Sequence, residues 1–315
     1  MREVARAGTM WAVRVIMYLT AGSGKSIVRG MKISRDELRS EVIDRLLRYS
    51  KIDTNSDPHI EAIPSTENQW ELLQLLKEEL TELGMNDIEL NEHGYMIARL
   101  PATVDAKIPT TGFMAHVDTS SDVSGRGVQP LVHENYDGGD IELGDGRKLS
   151  PGDYPELTDY RGDTIITSDG TTLLGADDKA GIAEILTALR WLLQHPDYPH
   201  GELEFIFTPD EETGKGMNLF PVDSLHSKYC YTMDGGKRGV IEGECFNAYV
   251  ARIRFIGSVI HLGHARGKLV NAVTMAASFI SMLPQAESPE ATDGRYGYFA
   301  PFEIKGGLDE AELEV

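Results

Sequence analysis

Apolar residues recur at the three-and-four spacing of a half-buried helix in four stretches of the chain. Leu38, Val42, Ile43, Leu46 and Leu47 follow Ser34-Arg35-Asp36-Glu37, which reads as a capping box. Trp70, Leu72, Leu73, Leu76, Leu80 and Leu83 follow a second box at Thr66-Glu67-Asn68-Gln69, and Gly84 stops that helix. Ile182, Ile185, Leu186, Leu189, Leu192 and Leu193 make a third helix, closed by His195-Pro196, and Leu269 to Leu283 a fourth. Between the helices, short apolar runs read as strands: Ile88 to Leu100 with a turn at His93-Gly94, Pro109 to Ala115, Thr164 to Thr167, Glu202 to Thr208 and Tyr229 to Thr232. Strands alternating with helices predict an α/β fold, a mixed and largely parallel sheet flanked by helices. Ser121 to Asp163 is dense in Gly, Asp and Pro and reads as a long loop. From Asn247 the pattern changes. Tyr249, Ala251, Ile253 and Phe255 alternate with Val250, Arg252 and Arg254, as in a half-exposed strand opening a smaller α+β domain.

The polar residues that interrupt this pattern fall at its most informative points. His116-Val117-Asp118 ends one strand, Asp210-Glu211-Glu212 another and Met233-Asp234-Gly235-Gly236 a third. In open sheets with parallel strands, ligands sit beyond the carboxyl ends. Asp177 and Asp178 stand together where an extended, glycine-bounded segment turns into the third helix. An N-cap accounts for one acid at a helix start, not for two. Each fragment alone is more often a turn or a solvated surface. Their joint occurrence, each after an apolar strand, predicts a two-metal hydrolytic site centred on Asp177. Zinc takes imidazole nitrogen and carboxylate oxygen. Two zincs roughly 3.5–4 Å apart need a bridging carboxylate, and a general base must stand within reach of the attacking water.

Composition narrows the partners. With 30 basic and 50 acidic residues the net charge is −20, a field that repels nucleic acid and anionic membranes and suits cation binding. No apolar run reaches the roughly 20 residues of a membrane span, so no nucleic-acid or membrane partner is expected. Cys230 and Cys245 lack metal-type spacing and read as reduced thiols of a cytoplasmic protein. At 315 residues and 41% hydrophobic, the chain can build two domains. The apolar stretch Met10 to Thr20 is interrupted by Arg14 and is not read as a signal peptide. Gly22-Ser23-Gly24-Lys25-Ser26 is not read as a phosphate loop, because Leu19 stands where the first glycine belongs. The expected organisation is an extension or misassigned start over 1–30, a catalytic domain over 31–246 and a smaller domain over 247–315.

Four segments together resemble a known family. They are Gly112 to Thr119, Gly175 to Gly181, Thr208 to Gly216 and Thr232 to Gly236. With Asn135 to Ile141 and Ser150-Pro151, they are similar to the peptidase T family, cytosolic di-zinc tripeptide aminopeptidases of bacteria. Its superfamily includes carboxypeptidase G, aminoacylase and succinyl-diaminopimelate desuccinylase. The similarity runs from about residue 38 to the last residue. It implies a di-zinc exopeptidase-like catalytic domain with an inserted lid and dimerisation domain, a short peptide substrate and a homodimer formed through the lid. By position it implies that His116 and Asp234 hold one Zn2+, Glu212 the other, and Asp177 bridges them. Glu211 would be the general base, Asp118 would orient His116, and the Asp177–Asp178 peptide would be strained and a candidate for the cis form. His261, in a loop similar to the family's His-Pro-Gly loop, would support the tetrahedral oxyanion across a dimer. Leu262 replaces the family's proline, and His264 is not read as a metal ligand.

In the family, the chain returns from the lid to finish the catalytic domain and brings a last zinc-binding His. Here Glu312-Leu313-Glu314-Val315 lies within a strand of the small domain. Both domains are therefore expected to be incomplete, and the Glu212 zinc to be one protein ligand short. The alternatives are a related amidohydrolase, either a dipeptidase or an N-acyl-amino-acid deacylase, and a truncated, catalytically incompetent fragment.

Overall fold

A five-stranded sheet carries the first of two compact units, and its strands match the sequence pattern closely. The computed structural model describes residues 35–236 and 240–315. The apolar stretch near the start, the glycine-lysine run after it and Ser34 of the first capping box lie outside the described residues. The units divide at Glu242 and Gly243.

In the first unit, α1 (Arg35–Tyr49) and α2 (Gln69–Glu82) precede a hairpin of β1 (Asp87–Leu90) and β2 (Met96–Leu100). Next come β3 (Thr111–His116), β4 (Leu131–His133), β5 (Ile141–Glu142), β6 (Lys148–Leu149) and β7 (Ile165–Thr167). Helix α3 (Ala176–Gln194), β8 (Leu203–Thr208) and β9 (Tyr229–Thr232) complete it. The sheet order is β1-β2-β8-β3-β9. β2 runs antiparallel to β1 and β8, whereas β3 runs parallel to both β8 and β9. The carboxyl ends of β8, β3 and β9 therefore lie along one edge of the sheet.

Alternation along the strands divides the core in two. Met96, Ala98, Phe205, Phe207 and Ala115 pack with Leu46, Leu72, Leu76, Ile182, Leu186 and Leu189 of the helices. Tyr95, Ile97 and Ile206 pack on the opposite face with Phe220, Met114 and Ile63. β9 differs from the other parallel strands. It pairs with β3 alone among the described residues, and all four of its residues are exposed.

Several expectations are corrected. The segment read as a long loop folds into a satellite with its own core of Tyr136, Ile141, Leu157 and Ile165. Its apolar residues are too irregularly spaced, and its strands too short, to show a period. The second capping box does not form, and helix α2 has no side-chain cap at Asn68. Thr66 instead donates to the Asn55 carbonyl at 2.8 Å, and Gln69 turns to Asp210 at 2.8 Å.

The second unit holds β10 (Arg252–Ile256), α4 (Ala272–Met282), β11 (Glu303–Gly306) and β12 (Glu310–Glu314), with sheet order β10-β12-β11, antiparallel throughout. Helix α4 starts later than its apolar pattern, at the Asn271 cap, whose side chain accepts the Thr274 N–H at 3.2 Å. The strand expected from Asn247 begins at Arg252, and Tyr249 before it is 90% exposed. Here the core is small: Ala272, Ala276 and Ala311, with Phe255 packed against them.

Candidate metal centre

Parallel pairing of β8, β3 and β9 brings three sequence-distant acid segments to one place. His116 closes β3, Glu211 and Glu212 follow β8, and Asp234 follows β9. The Met233 N–H donates to the Met114 carbonyl at 2.7 Å, carrying the β3–β9 ladder up to the residue before Asp234. Asp177 comes from the start of α3. Gly175, left-handed at φ 71°, makes the turn into it, and a Cβ there would lie 3.1 Å from Thr119 Cγ2. Gly181 lets the first turn approach β9, since its Cβ would lie 2.6 Å from the Met233 carbonyl oxygen.

The ligand atoms of His116, Asp177 and Asp234 all lie within 4.8 Å of one another, the one such grouping among the described residues. His116 Nε2 is 3.0 Å from Asp177 Oδ1 and 3.9 Å from Asp234 Oδ2. Glu211 Oε2 approaches the same nitrogen at 3.9 Å. Glu212 is outside the trio, although the Asp177 charge acts on it. His261 lies in the second unit, where its Nδ1 accepts the Gly263 N–H at 3.1 Å. Its ring is 5.7 Å from that of His264, with no metal grouping there among the described residues.

The double acid divides its work. The Asp177–Asp178 peptide is cis. Asp178 accepts the Gly181 N–H at 3.1 Å and the His116 N–H at 3.3 Å, so it caps the helix and tethers β3. Asp177 is left facing the imidazole. Asp118 is buried behind the ring, with its carbonyl 3.0 Å and its carboxylate 3.3 Å from His116 Nδ1. Asp118 holds Nδ1, which orients the ring so that Nε2 faces the acids and, once it gives up its proton, can ligate a metal. The carboxylate of Asp118 also accepts the Glu211 and Glu212 N–H groups at 2.9 and 3.1 Å. Sequence reading missed this second task, and it missed Asp210, Ser65 and Gln69, which bond to one another beneath the acid turn.

Electrostatics describe a crowded anionic site. Burial pushes Asp234 up to about 7, reinforced by the Asp177 charge, and burial with the same neighbour pushes Glu212 to about 7. The hydrogen bond from His116 holds Asp177 below the usual carboxylate range. Burial opposes charge on His116, but its bonds to Asp118 and Asp177 overcome that and hold it well above its ordinary value. Carboxylates that repel each other around an imidazole nitrogen suit a divalent cation of borderline softness. The donor set present thus fits a metal ion.

Comparison with known proteins agrees with this geometry. The model of peptidase family M20/M25/M40 matches residues 167–245, which include Asp177, Glu211, Glu212 and Asp234. Peptidase T of Geobacillus thermodenitrificans is 47% identical over 278 residues, covering 88% of this chain and 68% of the relative. Peptidase T of Lysinibacillus sphaericus is 49% identical over 276 residues, with 88% and 68% covered. Among solved structures, the aminopeptidase PepT of Bacillus cereus superposes with a TM-score of 0.55 at 25% identity, covering 87% of this chain and 65% of that one. The chain therefore spans about two thirds of the length of the relatives it matches. Identity at this level and over this length shows that the chain belongs to the peptidase T family.

Proposed function

We propose that the chain is a zinc-dependent aminopeptidase that releases the N-terminal residue of tripeptides. One observation carries the reading: His116, Asp177 and Asp234 converge at the ends of parallel strands, with the Glu211 carboxylate 3.9 Å from His116 Nε2. In this reading His116 and Asp234 would hold one zinc, Glu212 would hold the other and Asp177 would serve both. When bound, the ions supply Lewis acidity that polarises the scissile carbonyl and acidifies water. Glu211 takes a proton from the attacking water and returns it to the nitrogen of the departing dipeptide, so the carboxylate ends as it began. Its side chain is 55% exposed, which lets substrate reach it. Asp118 keeps the His116 tautomer fixed while charge shifts. The surrounding acids draw in the substrate's α-ammonium group.

His261, presented by a second copy of the chain through a dimer of the smaller unit, donates to the developing oxyanion. No helix among the described residues is long and apolar enough to cross a membrane. The cytoplasm, where short peptides are recycled, is the proposed setting. The test is to express the chain, count zinc per subunit and assay release of the first residue from a tripeptide. Near two zincs with Glu211-dependent release supports the reading. Absence of both zinc and release refutes it.

A further inference from the structure

The turn that delivers Glu211 and Glu212 hinges on Asp210, a fully buried residue with left-handed backbone at φ 55°. That conformation is uncommon outside glycine and persists where its surroundings hold it. Here the side chain is the handle. Asp210 Oδ2 accepts the Ser65 N–H at 2.7 Å, and Oδ1 accepts the Ser65 hydroxyl at 2.5 Å and the Gln69 amide at 2.8 Å. The Asp210 N–H in turn donates to Gln69 Oε1 at 3.2 Å. Ser65 is itself fixed, since its hydroxyl oxygen accepts the Asp57 N–H at 2.8 Å. On the far side of the turn, the Thr213 hydroxyl and the Lys215 N–H both donate to the Asp210 carbonyl, at 3.0 and 3.1 Å. Glu211 and Glu212 therefore sit between two buried carboxylates. Asp118 holds their N–H groups, and Asp210 holds the backbone just before them.

We propose that Asp210 is a positioning residue: gripped by Ser65, just before α2, and by Gln69, its first residue, its carboxylate sets the turn that aims Glu211 at the His116 cluster and fixes where Glu212 starts. The inference rests on the hydrolytic reading above for its catalytic consequence, and on geometry alone for the positioning. Three donors converge on this side chain, so its acceptors matter as well as its backbone. Glycine takes the left-handed angle but offers no acceptor. Asparagine takes the angle and keeps one oxygen. Alanine supplies neither.

The test follows backbone amide exchange of residues 209–216 by mass spectrometry in the full chain, beside tripeptide turnover of the zinc-loaded protein. Asp210→Ala and Asp210→Gly are expected to speed exchange in this segment about tenfold while β8 keeps its protection. Asp210→Asn should recover most of it. In turnover, kcat should fall about 100-fold for the alanine and glycine variants with KM nearly unchanged, the scale of a misplaced catalytic group. Asp210→Ala should cost little more once Glu211→Gln is present, because both act through one carboxylate. Wild-type exchange in the Asp210→Gly segment would overturn the proposal, since left-handed freedom alone would then suffice. If Asp210→Ala unfolds throughout, Ser65→Ala decides on the same exchange readout, with unchanged protection as the overturning result. A wild-type chain that binds zinc without turnover refutes the reaction, and the exchange data still decide the positioning role.

Discussion

His116 and Glu211 come within 3.9 Å of each other, yet they reach that spot by different means. On the His116 side the side chains themselves are buried and bonded: His116 is 2% exposed and Asp178 3%. On the Glu211 side the side chains reach toward solvent and the backbone is what is tied, by Asp118 on one flank and Asp210 on the other. The first arrangement suits groups that must keep one geometry. The second suits a carboxylate that has to exchange protons with water while its origin stays put. Asp118 belongs to both, because it touches the imidazole and the two amides at once.

Breaking the exposed side should cost most activity and least stability. Glu211→Gln keeps the backbone bond to Asp118 and removes the base, so kcat should drop about 10³-fold. Zinc content and melting temperature should stay as in the wild type, as checked by metal analysis and calorimetry.

The buried side should show itself in pH-dependent stability. Burial raises Glu184, on α3, to about 8. Its folded pKa lies above the unfolded one of about 4.3, so the folded state holds the extra proton. Stability referred to this group is greatest below that unfolded value and is lost as pH rises toward 8. Glu184→Gln should therefore raise the melting temperature at pH 8.5, by a gain of about 5 kcal/mol at most, and change little at pH 4.5. Melts at the two pH values decide it.

Asp118→Asn probes the residue shared by the two sides. An amide accepts one of the two loop N–H groups and turns its own donor toward the other. Zinc affinity should weaken about 10- to 100-fold, the usual cost of losing a ligand's partner, measured by competition with a chelating dye. The smallest effect is expected for Asp178→Ala, which removes the cap on Gly181. About 1 kcal/mol should be lost in denaturant melts, and a much larger loss would show that the His116 tether dominates.

Much of this was legible in the sequence because period-two and three-and-four patterns place strands and helices directly. Once β3, β8 and β9 are parallel neighbours, the residues just after them must meet, so His116 and Asp234 could be picked from strand ends alone. That one of the two acids caps the third helix also followed from their place at its start. The satellite core around Tyr136 and Leu157 was not legible, since strands two or three residues long leave no period. The diversion of Gln69 from its capping box to Asp210 was invisible for a different reason. The two residues are 141 positions apart, and nothing local marks the partner.

β9 pairs with one neighbour among the described residues, while β3 has a strand on each side. Asp234 and His116 thus hang from supports of unequal stiffness. Fluctuations that open an edge cost less free energy than those that split the middle of a sheet. Among the described residues the trio is therefore expected to loosen from the Asp234 side first, because the strand that carries His116 is braced on both sides.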